Sequence, residues 1–295
     1  MKTSNRLLLL FLGLVVFLIV LTAFVFRPYP AYLKWPVDHQ YIMGEGRIVA
    51  DTQLIDYHYV WTDFQDVSLD PSVAGRVEVR GYENAMSAIS VEVRNDTLFI
   101  SQGIGSDPYS RFSYDIEKRP IQVIAGSSSL LGMEAVGWGA FSVNASRFAL
   151  DEQETIDKPN TSTDKILRNK NLNITLTSGG QVTLPVDNQV INVTISGARH
   201  LFIPPTLDLS GHCNLLRIDH RETYADVKAF SLDADSVQIS SETPFSSDAG
   251  IFRVSAEKCL NATISGASDI LYLGQPRIEK KEHSSGRVVD ANRYR

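Results

Sequence analysis

The sequence has few of the residues, and none of the local motifs, that would indicate an enzyme or a nucleic-acid-binding protein. Its two cysteines in 295 residues cannot form the disulfide framework of a small secreted domain. Acidic residues outnumber basic ones, the net charge is -6 and the pI is near 5.5, which excludes nucleic acid as the main partner. No G-x-S-x-G, G-x-G-x-x-G, P-loop or H-E-x-x-H pattern occurs. The sequence therefore predicts no catalytic residue and no cofactor.

A long apolar run is present near the amino terminus. Leu7 to Phe26 contains one polar residue, Thr22, and no charge. A helix of that length spans about 30 Å, the thickness of the hydrocarbon core of a bilayer. We therefore predict a transmembrane signal anchor at 7–26, a cytoplasmic stub at 1–6 that contains the basic residues Lys2 and Arg6, and a juxtamembrane segment at 27–46. The alternative is a cleaved signal peptide and a secreted body, although the residues around Ala23 make a poor cleavage site.

The remainder of the chain has the pattern of short β-strands. Apolar and polar residues alternate with period two in runs that are separated by Gly, Ser, Asn and Asp. These runs include Arg76-Val-Glu-Val-Arg, Ile89-Ser-Val-Glu-Val-Arg, Leu172-Asn-Ile-Thr-Leu-Thr and Val190-Ile-Asn-Val-Thr-Ile-Ser. The pattern predicts an all-β fold.

A Ser-Gly pair followed by an apolar strand recurs in the second half. The copies are Ser178-Gly179, Ser196-Gly197, Ser210-Gly211, Ser265-Gly266 and Ser285-Gly286. The first three begin 18 and 14 residues apart and the last two 20 apart. A repeat of this length with one turn motif is typical of one coil of a β-solenoid, in which the pair would form the corner. A β-sandwich whose turns use Ser-Gly is the alternative.

The last coils carry a family resemblance. Ser265, Gly266 and Asp269, followed by a strand, a Gly-x-Pro and a final Ser-Gly, match the carboxyl-terminal pattern of the putative auto-transporter adhesin head GIN domain. The segment Val91-Glu-Val-Arg-Asn-Asp-Thr-Leu-Phe-Ile-Ser resembles the front of that family. The resemblance implies a bacterial right-handed β-helix (β-solenoid) over 47–290, preceded by the transmembrane helix. It implies an envelope location and no established activity.

Two further segments complete the expected organisation. Residues 151–170 are polar and rich in Asp, Lys, Asn and Thr, and we interpret them as an insertion or linker. Residues 291–295 are expected to form a tail. With the anchor, the resemblance places the body in the periplasm, held by a single pass through the inner membrane.

Three groups of residues could carry chemistry. His200, His212 and His220 are candidate zinc ligands, with surface or half-buried histidines as the alternative. Asp233, Asp235 and Asp248 would be candidate carboxylates of a polysaccharide-cleaving β-helix, or turn residues. Cys213 and Cys259 would lie outside the cytoplasm and could form a disulfide or be two buried small residues.

The functional hypothesis is a non-enzymatic, membrane-anchored envelope protein whose solenoid presents a surface for a protein, a glycan or another copy of itself. Two alternatives remain open. One is an exported polysaccharide-active β-helix enzyme, and the other is a self-assembling envelope scaffold whose end coils stack between molecules.

Overall fold

Strands follow one another through nearly all of the chain that the computed structural model describes, namely residues 47–65, 67–83, 85–86, 89–102, 121–143, 166–197, 204–243, 249–282 and 285–294. The strands are β1 (Ile48–Leu54), β2 (Tyr59–Thr62), β3 (Val67–Asp70), β4 (Arg76–Tyr82), β5 (Ile89–Arg94), β6 (Thr97–Gln102), β7 (Ile121–Gly126), β8 (Gly132–Val136), β9 (Ala140–Ser142), β10 (Asn171–Thr177), β11 (Gln181–Ser196), β12 (Thr206–Arg221), β13 (Asp226–Glu242), β14 (Ile251–Ser265), β15 (Asp269–Leu273), β16 (Arg277–Glu282) and β17 (Arg287–Asp290). A 3-10 helix, Ala291–Tyr294, follows them. The predicted all-β class is confirmed.

Within the described residues, these strands form one mixed sheet of 17 strands. Most pairs are parallel and join one pass of the chain to the next. Asp269 pairs with Arg287, 18 residues later, and Gln181 pairs with Thr206, 25 residues later. Each pass therefore lies about 4.8 Å from its neighbour, the spacing of hydrogen-bonded strands.

The sheet contains two ladders, because each pass contributes one strand and then, after a turn, a second. The first ladder runs β5, β6, β2, β8, β10, the carboxyl-terminal halves of β11 to β14, and β16. The second runs β1, β4, β7, β3, β9, the amino-terminal halves of β11 to β14, β15 and β17. β11 to β14 each belong to both ladders.

The order of strands in the stack departs from the order of the chain at one place. β2 pairs with β6 on one side and β8 on the other, and β3 pairs likewise with β7 and β9. The pass made by β6 and β7 therefore lies outside the pass made by β2 and β3, although it comes later in the sequence. Antiparallel pairs occur at this end of the ladders, between β1 and β4, β4 and β7, and β5 and β6.

The core consists of columns of apolar side chains that are stacked from strand to strand. One column in the first ladder contains Leu172, Ile191, Leu216, Val237 and Leu260, which the strand register aligns and which are all fully buried. The residue before or after each of them points outward. Parallel pairing in register thus stacks apolar side chains on apolar side chains of the neighbouring strand. The period-two alternation along each strand determines which side chains face the core.

The Ser-Gly pairs lie at two different bends. Ser178-Gly179, Ser196-Gly197, Ser265-Gly266 and Ser285-Gly286 follow strands of the first ladder, where the chain turns into the second. Ser210-Gly211 instead lies inside β12, where the chain passes from the second ladder to the first. Gly211 has φ +102°, and a Cβ there would lie 2.1 Å from the Val186 carbonyl oxygen, so only glycine fits.

Several sequence-based predictions lie outside the described residues. These are the stub at 1–6, the anchor at 7–26, the juxtamembrane segment at 27–46 and most of the polar stretch. The end of that stretch belongs to the fold, since Leu167 is buried and pairs with Val186. Within the expected tail, Asn292 Nδ2 donates a 2.8 Å hydrogen bond to the Gly274 carbonyl oxygen. Across residues 47–294, as far as they are described, no helix has the length and apolar character needed to cross a membrane.

Replacing Leu216 by alanine tests the column. We expect Leu216→Ala to lower the free energy of unfolding by about 2–5 kcal/mol, because it leaves a cavity between fully buried neighbours. The adjacent Arg217 points outward, with its Nε donating a 3.1 Å hydrogen bond to exposed Gln238. Arg217→Ala should cost about 0.5 kcal/mol or less. Denaturant unfolding measures both, and equal losses would contradict the assignment of inner and outer faces.

Candidate binding surface

Three aromatic side chains lie together on the outer face of the first ladder. In β2, Val60 and Thr62 point inward and are buried, so that Tyr59 and Trp61 point outward. Phe99 of β6 lies opposite Trp61, with ring centroids 5.8 Å apart and planes inclined at 43°. Tyr59 is 40% exposed. Because alternate residues of the paired strands β2 and β6 point outward, their aromatic rings form a cluster on the outer face of the sheet.

A carboxylate lies at each end of this cluster. Glu92 of β5 is opposite Phe99, Phe99 is opposite Trp61, and Trp61 is opposite Glu134 of β8. These four residues form a line across four neighbouring strands, which we call the acid–aromatic row. Both carboxylates are half-buried.

One half of the row is occupied by a cation of the same chain. The Arg94 guanidinium lies 5.9 Å from the centroid of the Phe99 ring and is ion-paired with Glu92. A planar guanidinium gains from both contacts, since the ring face carries negative potential and the carboxylate accepts its hydrogen bonds. The Glu92 carboxylate and the Phe99 ring are therefore already engaged by the Arg94 guanidinium.

The other half contains a depression of about 310 Å³. Its lining includes Tyr59, Trp61, Gly132, Glu134 and Asn173, which together we call the notch. Gly132 lies between Tyr59 and Asn173 in the ladder, and the Tyr59 ring lies over it. Of the described residues, none makes a hydrogen bond or ion pair with the Glu134 carboxylate. The notch thus combines aromatic rings with an acidic group that no described residue neutralises.

Away from the notch, the outer face of the first ladder becomes neutral and polar. Asn192 Nδ2 donates a 3.0 Å hydrogen bond to Asn173 Oδ1, and Asn173 Nδ2 donates to the Leu131 carbonyl oxygen at 3.3 Å. Both functional atoms of the Asn173 side chain are therefore engaged within the protein. Asn173 forms a wall of the notch rather than a free hydrogen-bonding group.

His58 and Asp96 lie at the edge of the same surface. Asp96 is in the turn between β5 and β6, with φ +66°, and its carbonyl oxygen accepts hydrogen bonds from the amides of His58 and Tyr59. His58 Nδ1 lies 2.8 Å from Asp96 Oδ1. The hydrogen bond to this carboxylate, and its charge, raise the pKa of His58 above its usual 6.5.

The three candidate metal ligands do not come together in the described structure. His200 lies outside the described residues, His212 is exposed at the bend of β12, and His220 is fully buried. No group of three or more His, Cys, Asp or Glu side chains that could hold a metal ion occurs in the described part of the chain.

His220 belongs instead to a buried hydrogen-bonded chain. Its Nε2 lies 2.6 Å from the Thr223 carbonyl oxygen, which only accepts, so Nε2 carries a proton. Its Nδ1 lies 3.0 Å from Ser241 Oγ, which is 2.8 Å from Ser268 Oγ, and the Gly250 amide donates to Ser268 Oγ at 2.9 Å. A neutral imidazole satisfies this chain when each hydroxyl donates toward the ring. The arrangement joins the turns of successive passes.

The candidate carboxylates are also apart from the notch. Asp235 is ion-paired with Lys258 at 2.8 Å, and Asp233 lies opposite His212 in the ladder, both on the exposed side of β13. Asp248 lies outside the described residues. Asp235 is thus neutralised by a lysine.

Both cysteines are free thiols. Cys213 pairs with Ala234 of β13, whereas Cys259 pairs with Ser236 of the same strand from the other side. Two strand spacings, about 9.6 Å, separate β12 from β14, beyond the reach of a disulfide. Cys213 is buried, and this desolvation, with the charge of Asp235, raises the pKa of its thiol to about 12. Cys213 is one of the two small buried residues of the alternative interpretation, and Cys259 is half-buried.

Sequence reasoning did not identify the notch. The alternation Tyr59-Val60-Trp61 was a usable signal, since it places two aromatic residues on the face opposite a buried valine. Glu134 could not be added to them, because β2 and β8 are neighbours only through the departure from chain order.

Comparison with known proteins agrees with this fold. The family model described as "Putative auto-transporter adhesin, head GIN domain" matches residues 62–276, which confirms the resemblance drawn from the sequence. No curated protein matches the chain.

Solved structures share the architecture at low sequence identity. A putative adhesin from Bacteroides fragilis is 18% identical, with a TM-score of 0.59 over 82% of this chain and 95% of that one. A putative lipid binding protein from Parabacteroides distasonis is 20% identical, with a TM-score of 0.50 over 83% and 96%. A putative adhesin from Parabacteroides merdae is 16% identical, with a TM-score of 0.50 over 83% and 97%. These likenesses are of fold.

The pair His58–Asp96 gives a pH-dependent prediction. Because the pKa of His58 is raised in the folded protein, the pair contributes stability that is complete below about pH 6.5 and is lost as pH rises through the raised pKa. Asp96→Asn should return the NMR titration of His58 toward 6.5. Glu92→Gln, on the same hairpin, should leave that titration unchanged. A midpoint that does not fall in Asp96→Asn would contradict the role of the carboxylate.

Proposed function

Because the chain belongs to the putative auto-transporter adhesin head GIN domain family, we propose that it is a non-enzymatic, membrane-anchored envelope protein whose right-handed β-solenoid presents a binding surface. The surface is the outer face of the first ladder around the notch. Its partner is a protein or a glycan of the envelope or of a neighbouring cell.

The observation that carries the proposal is the position of exposed Tyr59 and half-buried Trp61 on the outer face, beside a carboxylate that pairs with no described residue. Exposed aromatic side chains on a rigid strand give large contact areas at little cost in side-chain entropy, and Trp and Tyr are enriched where binding energy concentrates. Both residues lie on β2, which is held by strands on both sides. The rings are thus presented by a part of the sheet that needs no rearrangement to bind.

The observations favour this function over the two alternatives. A glycan-cleaving enzyme needs two carboxyl groups, one on either side of the scissile bond. The carboxylate of the candidate Asp235 is instead ion-paired with Lys258. A scaffold that grows by stacking needs a receptive edge strand. The edge strand β16 reads Arg-Ile-Glu-Lys-Lys-Glu and is exposed at all six positions. Its charges disfavour pairing with a second copy at that end.

The membrane part of the proposal rests on the sequence. The uncharged run at 7–26 would anchor the chain in the inner membrane with its amino terminus in the cytoplasm. The juxtamembrane segment at 27–46 would then connect the anchor to β1, and the body would be periplasmic.

Binding by the notch can be measured with the full chain in lipid nanodiscs and arrays of glycans and peptides. We expect retention of one ligand class without product release, and a loss of affinity of at least about tenfold in Trp61→Ala. Gln238→Ala serves as the matched control, since it changes an exposed residue of the same ladder far from the notch. It should bind like the unaltered chain.

Three outcomes would count against the proposal. Release of reducing or unsaturated sugars would indicate the enzyme. Equal losses in Trp61→Ala and Gln238→Ala would show that the notch is not the binding surface. Association of the chain only with itself, seen by light scattering, would indicate the scaffold.

The anchor makes a separate prediction. In membranes from cells that express the full chain with a carboxyl-terminal tag, the protein should resist alkaline carbonate extraction, since an uncharged run of 20 residues holds it in the bilayer. Protease added to spheroplasts should remove the tag, whereas a tag at the amino terminus should be protected. Recovery of a soluble periplasmic form that lacks the apolar run would show that the segment is cleaved.

A further inference from the structure

We propose that the notch binds the guanidinium group of an arginine side chain presented by a partner polypeptide. The inference rests on the proposed function and names the ligand of its surface. It comes from a symmetry within the acid–aromatic row, one half of which already holds a guanidinium.

The two halves of the row are built alike. In the first, Glu92 lies beside the Phe99 ring, and in the second, Glu134 lies beside the Trp61 ring. The order across the sheet is acid, ring, ring, acid. Each half therefore offers a carboxylate, which only accepts hydrogen bonds, next to an aromatic face, which attracts cations.

The halves differ in the residue that stands beside the acid. On each of these strands, the next outward-facing position belongs to a second line across the sheet. That line contains Arg94, Thr97, Tyr59 and Gly132. Arg94 in this line reaches Glu92 and the Phe99 ring. The corresponding position beside Glu134 is Gly132, which has no side chain. The second half thus has the acid and the ring of the first, without an arginine at the corresponding position.

The notch has the walls that a guanidinium needs. The Tyr59 ring is one of them, and it lies over Gly132, with ring carbons 3.0 and 3.1 Å from the position that a Cβ there would take, so that no side chain fits at Gly132 itself. Trp61 and Glu134 complete the site. Tyr59 adds an aromatic wall that the Arg94 site lacks.

The chemistry favours an arginine over a neutral sugar. Sugar recognition combines a ring with side chains that hydrogen-bond hydroxyl groups, yet both polar ends of Asn173 are already used within the protein. Among the described residues that line the notch, Glu134 is the charged one, and its carboxylate is best matched by a planar cation with a fork of donors. The net charge of -6 also favours a basic partner at long range.

The experiment uses the full chain in nanodiscs and a fluorescent peptide, Gly-Ser-Tyr-Gly-Arg-Gly-Tyr-Ser-Gly. Its two matched forms carry citrulline, the neutral isostere, or lysine in place of arginine. We expect the arginine peptide to bind at least about tenfold more tightly than the citrulline peptide, and more tightly than the lysine peptide. Binding should shift the NMR signal of the Trp61 indole N–H.

Two isosteric variants localise the effect. Glu134→Gln should weaken binding of the arginine peptide by about tenfold, because it removes the unpaired charge and keeps the shape. Glu92→Gln removes the same charge three strands away from Gly132, where Arg94 already occupies the site, and should change the affinity by less than about twofold. Circular dichroism checks that both variants are folded.

Equal binding of the arginine and citrulline peptides would overturn the inference, as would equal losses in the two variants or a preference for lysine. Binding of a neutral glycan that is lost in Trp61→Ala but kept in Glu134→Gln would refute the arginine site and leave the proposed function standing. Absence of any binding to the notch would refute both.

Discussion

Parallel pairing in register is the constraint on which the rest of this structure depends. Each pass of the chain must hydrogen-bond to its neighbour in the stack, so that paired residues lie about 4.8 Å apart. Inside the sheet this produces columns such as Leu172, Ile191 and Leu216. At the bends it demands residues that tolerate close backbone approach, of which Gly211 is the clearest example. Outside, it lines up side chains that are far apart in sequence, and the acid–aromatic row is one such line.

The same constraint explains how a polar group is kept inside the stack. His220 occupies a column position whose neighbours are Ile195 on one side and Ser241 on the other. An imidazole in that column would be costly without partners, since a buried polar group that makes no hydrogen bond loses its hydration. Ser241 and Ser268 supply the partners because they stand on successive passes. His220, a candidate metal ligand in the sequence, is therefore part of the packing between successive passes.

Local patterns predicted the elements, but not the order in which they stack. Period-two alternation indicated strands such as β5 and β10, because which face is buried is a property of consecutive residues. The Ser-Gly repeat marked bends, yet it did not distinguish the bend inside β12 from the turns after the first ladder, since glycine serves both. The insertion of β2 between β6 and β8 follows from pairing between distant segments and has no local signature.

That insertion is also why the candidate site lies where it does. In the regular part of the stack, strand follows strand in chain order, and the outer positions carry side chains that satisfy one another, as Asn173 and Asn192 do. Where β2 enters between β6 and β8, the outer line brings together residues from three separate segments, and its two halves are filled unequally. Arg94 fills one half, whereas the other half has Gly132 at the corresponding position and no cation among the described residues that line it. If the proposed function holds, the partner is therefore expected at the irregular end of the sheet, on its outer face, rather than along the polar ladder or at the charged edge formed by β16.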